Sequence, residues 1–219
     1  MKPDHETAAI SAAETLIKHK IIAAPIAPLA ILKTIPGVLV QSYTELANLF
    51  GVDRSDIIST IGIDNQGAVT FAGRSDAGFR YMVAYNQRLP FYMLQRSLAR
   101  ELGHVVLGHD GSRPGEVRDA EASCFAWHLL CPRPLLHAVQ AAGIPLTVDM
   151  IGNMTGCYER CQSFIREMPG VHVPAALNSL VRDQFADYTS NLIAYRSIIA
   201  DRDTSPLADL GTYMDNYEE

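Results

Sequence analysis

Over residues 91–107 apolar side chains recur at three- and four-residue steps: Phe91, Leu94, Leu98, Leu102 and Val105. Only a helix brings such positions onto one face, so the spacing predicts a long helix with one buried stripe. Arg100, Glu101, His104 and Gly108 fall roughly on the opposite side. The run Asp110-Gly111-Ser112-Arg113-Pro114-Gly115 then interrupts the pattern, and a second helix is expected over about 117–130, stopped by Pro132 and Pro134.

Upstream the period differs. Residues 6–20 carry Ile10, Ala13, Leu16 and Ile17, a helical stripe, and a short helix is expected over about 28–33. Gly37-Val38-Leu39-Val40 reads as a short strand. Ser42-x-x-Glu45 is a capping box opening a helix that Gly51 closes. Over 57–85 two turn signals, at 64–67 and 75–78, separate Ala68-Val69-Thr70-Phe71 from the run 79–85, so two or three antiparallel strands are expected there. From Leu135 to about Tyr195 the pattern is helical, broken at Gly143-Ile144-Pro145 and over 169–174.

Composition narrows the function classes. The chain has 219 residues with 24 acidic against 18 basic side chains, a net charge of -6, which argues against direct nucleic-acid binding. Much of the acidic excess sits in the terminal segment, read as a solvated tail. No apolar run reaches membrane-spanning length and no secretory signal is visible, so a cytoplasmic protein without a membrane partner is expected. Cys124, Cys131, Cys157 and Cys161 lack the Cys-x-x-Cys pairing of a zinc knuckle and read as reduced, buried thiols.

The chemistry concentrates in Arg100-Glu101-Leu102-Gly103-His104. In a zinc peptidase two histidines at i and i+4 stack on one helix face and bind the metal, and the glutamate after the first activates the bound water. Here Glu101 and His104 are present, but Arg100 stands at the first ligand position. An arginine keeps its proton in a protein and offers a metal no lone pair. On the second helix Glu121 shares a face with Cys124, Phe125 and His128. An inward carboxylate there needs a cation, a metal or several donors, and on the residues alone a place at the edge of the buried stripe is the reading favoured slightly over it.

Three stretches carry a resemblance. Ala99-Arg100-Glu101-Leu102-Gly103-His104-Val105-Val106-Leu107-Gly108-His109 resembles the active helix of ImmA/IrrE metallopeptidases. Asp119-Ala120-Glu121-Ala122-Ser123-Cys124-Phe125-Ala126-Trp127-His128-Leu129-Leu130-Cys131-Pro132 is similar to the family's second helix, with Ser123 where asparagine is frequent. Tyr85-Asn86-Gln87-Arg88-Leu89-Pro90 resembles its lead-in. The likeness spans about 10–136.

It implies an α+β fold: a minimal zincin-like metallopeptidase core, helices on a small, mainly antiparallel sheet, with a C-terminal helical extension. The divisions expected are 1–136 for the peptidase domain, 137–200 for the extension and 201–219 for the acidic tail. The resemblance further implies an edge strand beside the active helix that pairs with an extended substrate, with 79–85 the candidate strand. It makes Glu101 the general base, and His104 and Glu121 zinc ligands, with Asp119 a weaker substitute for Glu121. It also implies a partner, a helix-turn-helix repressor of a phage or mobile element.

The arginine leaves three readings open. Arg100 can fill the metal site and fork onto Glu121 or Glu101, giving a pseudopeptidase that still binds its partner. A metal can be held weakly, with His109 or His128 as substitutes. His109, at i+5, does not stack on His104 and fits better as a residue closing the helix end. Or the arginine is a variant of an active enzyme. Ligand chemistry favours the first, with zinc absent or weakly bound. A non-cleaving antirepressor and a DNA-associated regulator, the latter using a helix pair over 146–168, are the alternatives from other classes.

Overall fold

A computed structural model describes residues 1–61, 67–73, 78–156 and 171–203. The expected turns at 64–67 and 75–78 fall largely outside these residues. So do Cys157 and Cys161, the second half of the 146–168 pair, and the tail from 204 onward.

The chain opens with α1 (His5–Lys18), capped by the Asp4 side chain, which accepts from the Thr7 amide at 2.9 Å. After α2 (Pro28–Leu32) comes β1 (Val38–Ser42) and then α3 (Tyr43–Phe50). Both bonds of the Ser42/Glu45 capping box form, and Gly51 ends the helix in the left-handed region at φ 65°. α4 (Arg54–Ile61) follows, so the expectation of strand from residue 57 onward fails for 57–61. The helix begins at an Asp53/Asp56 turn, where the Asp53 amide donates to the Asp56 carboxylate at 3.3 Å, a local signal that the strand reading passed over.

β2 (Ala68–Ala72) and β3 (Tyr81–Tyr85) complete a three-stranded sheet in the order β1-β3-β2. β1 runs parallel to β3 and β2 antiparallel to it, so the sheet is mixed. The alternation along β3 divides the interior. Tyr81, Val83 and Tyr85 join the main core, while Ala84, with Met82 beside it, faces a smaller cluster of Tyr43, Leu46, Ala47 and Ile57 beneath α3 and α4.

The rest is helical: α5 (Phe91–Val106), α6 (Gly115–Leu130), α7 (Arg133–Ala141), α8 (Val148–Thr155), α9 (Ala175–Gln184) and α10 (Ala186–Asp203). The fold class is α+β, compatible with a minimal zincin-like core. The stripe on α5 is only partly as the spacing predicts. Leu98, Leu102 and Val105 are buried, but Phe91 is 59% exposed. Glu101 and His104 are buried as well, because β2 and α6 cover the other side of the helix. The main core does not stop at 136: Val139, Ile144, Ile151, Met154, Val181 and Phe185 belong to it. The Gln184 side chain donates to the Leu16 carbonyl at 2.8 Å, which fastens the end of α9 to α1. Among the described residues no helix is long and apolar enough to cross a membrane.

What positions the site is the contact of α5 with α6. Gly103 lies so close to α6 that an added Cβ would meet the Ala122 carbonyl oxygen at 3.0 Å, its Cα at 3.1 Å and the Phe125 ring at 3.1 Å. Two of these atoms are backbone, so relief requires moving the helices apart. Gly103→Val should therefore lower the unfolding free energy by about 2 kcal/mol or more, measured by urea denaturation. An unchanged midpoint would mean the helices are farther apart than described.

Candidate functional site

α5 ends in a turn that decides the site. Gly108 adopts φ 70°, its amide donates to the Val105 carbonyl at 3.2 Å, and the His109 amide donates to the His104 carbonyl at 3.0 Å. These are the two bonds of a Schellman motif, and they fold His109 back over the helix end. The His104 and His109 rings meet edge to face with centroids 5.0 Å apart. The i+5 spacing argued against stacking along the helix, correctly, but the turn brings the rings together outside it. Gly108, four residues after His104, is the sequence signal that foretells this.

A buried polar chain results. The Arg113 guanidinium donates to both Glu121 oxygens, at 3.0 and 3.1 Å, and the Asp4 amide donates to one of them at 2.8 Å. The other oxygen lies 3.0 Å from His109 Nε2, and His109 Nδ1 lies 2.9 Å from His104 Nδ1. Glu121, with 3% of its side chain exposed, thus has its inward charge met by a cation and two further donors.

The order of protons follows from the acceptor at one end. His109 donates to the carboxylate through Nε2–H, which leaves Nδ1 as its acceptor. His104 must then donate through Nδ1–H, so its Nε2 carries the lone pair. Burial, helped by the Arg100 charge, pushes the His104 pKa down to about 4, and burial lowers that of His109 too, which keeps both rings neutral as this order requires. His104 Nε2 faces Asp119 at 3.4 Å, on the exposed rim.

Arg100 pairs with the residue next to it. Its Nε donates to Glu101 Oε1 at 3.3 Å, with about a third of the arginine side chain exposed. Burial raises the pKa of the Glu101 carboxyl, and the Arg100 charge and Thr70 pull it back. Arg100, Glu101 and His104 line a cleft of about 350 Å³, closed on one side by residues 69–72 of β2 and on another by Arg118 and Asp119. The cleft strand is therefore β2, an edge of the sheet. The candidate strand 79–85 is β3, which lies in the centre with both edges paired, because the parallel β1 caps its far side.

These residues do not fit a zinc ion. Arg100 has no lone pair to give, both Glu121 oxygens already accept from donors, and His104 offers one nitrogen. Glu121 does not line the cleft, since His109 stands between it and His104. Among the described residues no group of three His, Cys, Asp or Glu side chains gathers as a metal site. His128 lies elsewhere on α6, buried near Arg133 and His5, and takes no part. Cys124 and Cys131 are buried, and burial pushes the Cys124 thiol up to about 12. Spacing alone did not reveal Arg113 and the Asp4 amide, the groups that hold Glu121.

In comparisons with known proteins, the family profile described as IrrE N-terminal-like domain matches residues 62–149. No curated protein and no solved structure matches the chain.

Two outcomes follow from this geometry. Nitrogen-detected NMR at pH 7 should find His104 as the Nδ1–H tautomer and His109 as Nε2–H; the reverse pair would break the chain as drawn. The buried His128 has its pKa lowered to about 4 from 6.5. Between those values the unfolded chain holds a proton that the folded one lacks, so stability is full above about pH 6.5 and falls as pH drops toward 4. His128→Phe should flatten that slope in denaturation measured across pH 4–7, and an unaltered slope would show that His128 is not buried neutral.

Proposed function

Since residues 62–149 match the IrrE N-terminal-like domain, a metallopeptidase family, we propose that this chain engages a helix-turn-helix repressor of a phage or mobile element and sequesters it without cutting it. The observation that carries this reading is Arg100 itself, standing at the first ligand position and paired with Glu101 at 3.3 Å. A glutamate in that place serves hydrolysis by activating a water that a metal has already acidified. Tied to a guanidinium, with no complete donor set beside it, Glu101 has no such water to act on.

Binding survives this loss because it uses other parts. β2 presents an unpaired edge to the cleft, and an extended segment can add to it through backbone hydrogen bonds. Arg100 and Arg118 offer cations to such a segment, and Asp110 and Asp119 offer carboxylates. The half-buried guanidinium takes the place of a metal charge at the cleft floor.

Mixing the purified protein with its candidate repressor distinguishes the outcomes. Sequestration should saturate at a fixed ratio, leave the repressor full length, and be indifferent to a chelator. Fragments that accumulate with time beyond the protein's own molar amount, and vanish when chelator is added, would overturn the proposal.

A further inference from the structure

A second cavity, of about 470 Å³, opens between α1, α7 and α9 and shares no lining residue with the cleft. Its inner wall is apolar. Ala9, Ala13, Leu16 and Val181 all line it, and each is at least nine-tenths buried. Its other lining residues include Arg133, His137, His172 and Arg182, and none of the described residues lining it is Asp or Glu. In a chain with a net charge of -6 that local balance is reversed.

One buried group there is unsatisfied. His128 is 6% exposed and lines the cavity, yet its Nε2 has no hydrogen-bond partner among the described residues. A buried ring nitrogen left unpaired is costly, so such groups normally mark a missing partner. Arg133, five residues farther along the chain, lines the same cavity, so a cation and the orphan nitrogen share it.

We propose that this cavity is a binding site for a small carboxylate with an apolar body. The carboxylate would sit at the end formed by Arg133 and His128, accepting from the guanidinium and from His128 Nε2–H. The apolar body would lie along Ala9, Ala13, Leu16 and Val181, and the volume suits a ligand of that size. The site stands apart from the cleft and does not depend on the repressor or on the state of the metal position.

The test titrates the full chain by calorimetry with sodium octanoate, octylammonium chloride and sodium acetate. Octanoate should bind saturably with one site per chain, at least tenfold more tightly than either octylammonium or acetate. The His128 side-chain NMR signals should move on its addition. Ala13→Phe, which fills the apolar end, should abolish binding, and Arg133→Gln should weaken it at least fivefold with the circular dichroism spectrum unchanged. The absence of saturable octanoate binding, equal binding of octylammonium, or unchanged affinity in Arg133→Gln would each overturn the proposal. Should Ala13→Phe fail to fold, the head-group comparison and Arg133→Gln decide the matter alone.

Discussion

A carboxylate placed between packed helices has to be met by donors, and much of this molecule is arranged around meeting the one at Glu121. Left unpaired, a buried charge of this kind costs several kcal/mol. Arg113 reaches it from the loop between α5 and α6, the start of α1 supplies the Asp4 amide, and the turn after α5 supplies His109. Three separate stretches of chain thus converge on two oxygen atoms. The close approach at Gly103 makes that convergence possible by holding α5 and α6 together.

The same arrangement explains why the arginine at position 100 is tolerated. A guanidinium near a metal position is repelled by a metal and welcomed by acids. Arg100 finds its acid in the adjacent Glu101 rather than in Glu121, whose oxygens are already taken. His104 is left at the end of a neutral hydrogen-bonded chain, with one lone pair facing the cleft. Glu121 and His109 are both engaged by protein partners, and the edge strand β2 lines the cleft.

Local features of this fold were legible in the sequence, and those that depend on who packs beside whom were not. The Ser42/Glu45 capping box and the α5 and α6 helices follow from spacing and residue type, whereas the spacing around Glu121 leaves its burial open. α4 was missed because its apolar residues are few and only Ile57 is buried. Residues 79–85 fail as the cleft strand because strand order is a tertiary fact: nothing in them states that they will pair in parallel with β1. In the site, Glu101 and His104 were readable from the helix period, whereas His109 enters through the left-handed Gly108 and Arg113 through a loop. Phe91 fits the apolar period of α5 and is exposed all the same, since the first turn of that helix extends past the core.

We infer that Arg100 leaves this site without a complete set of zinc ligands. Elemental analysis of the purified protein, set beside Arg100→His prepared identically, tests it most directly. Zinc should fall well below one equivalent per wild-type chain and be higher in Arg100→His. One equivalent of zinc bound to the wild-type chain would contradict it.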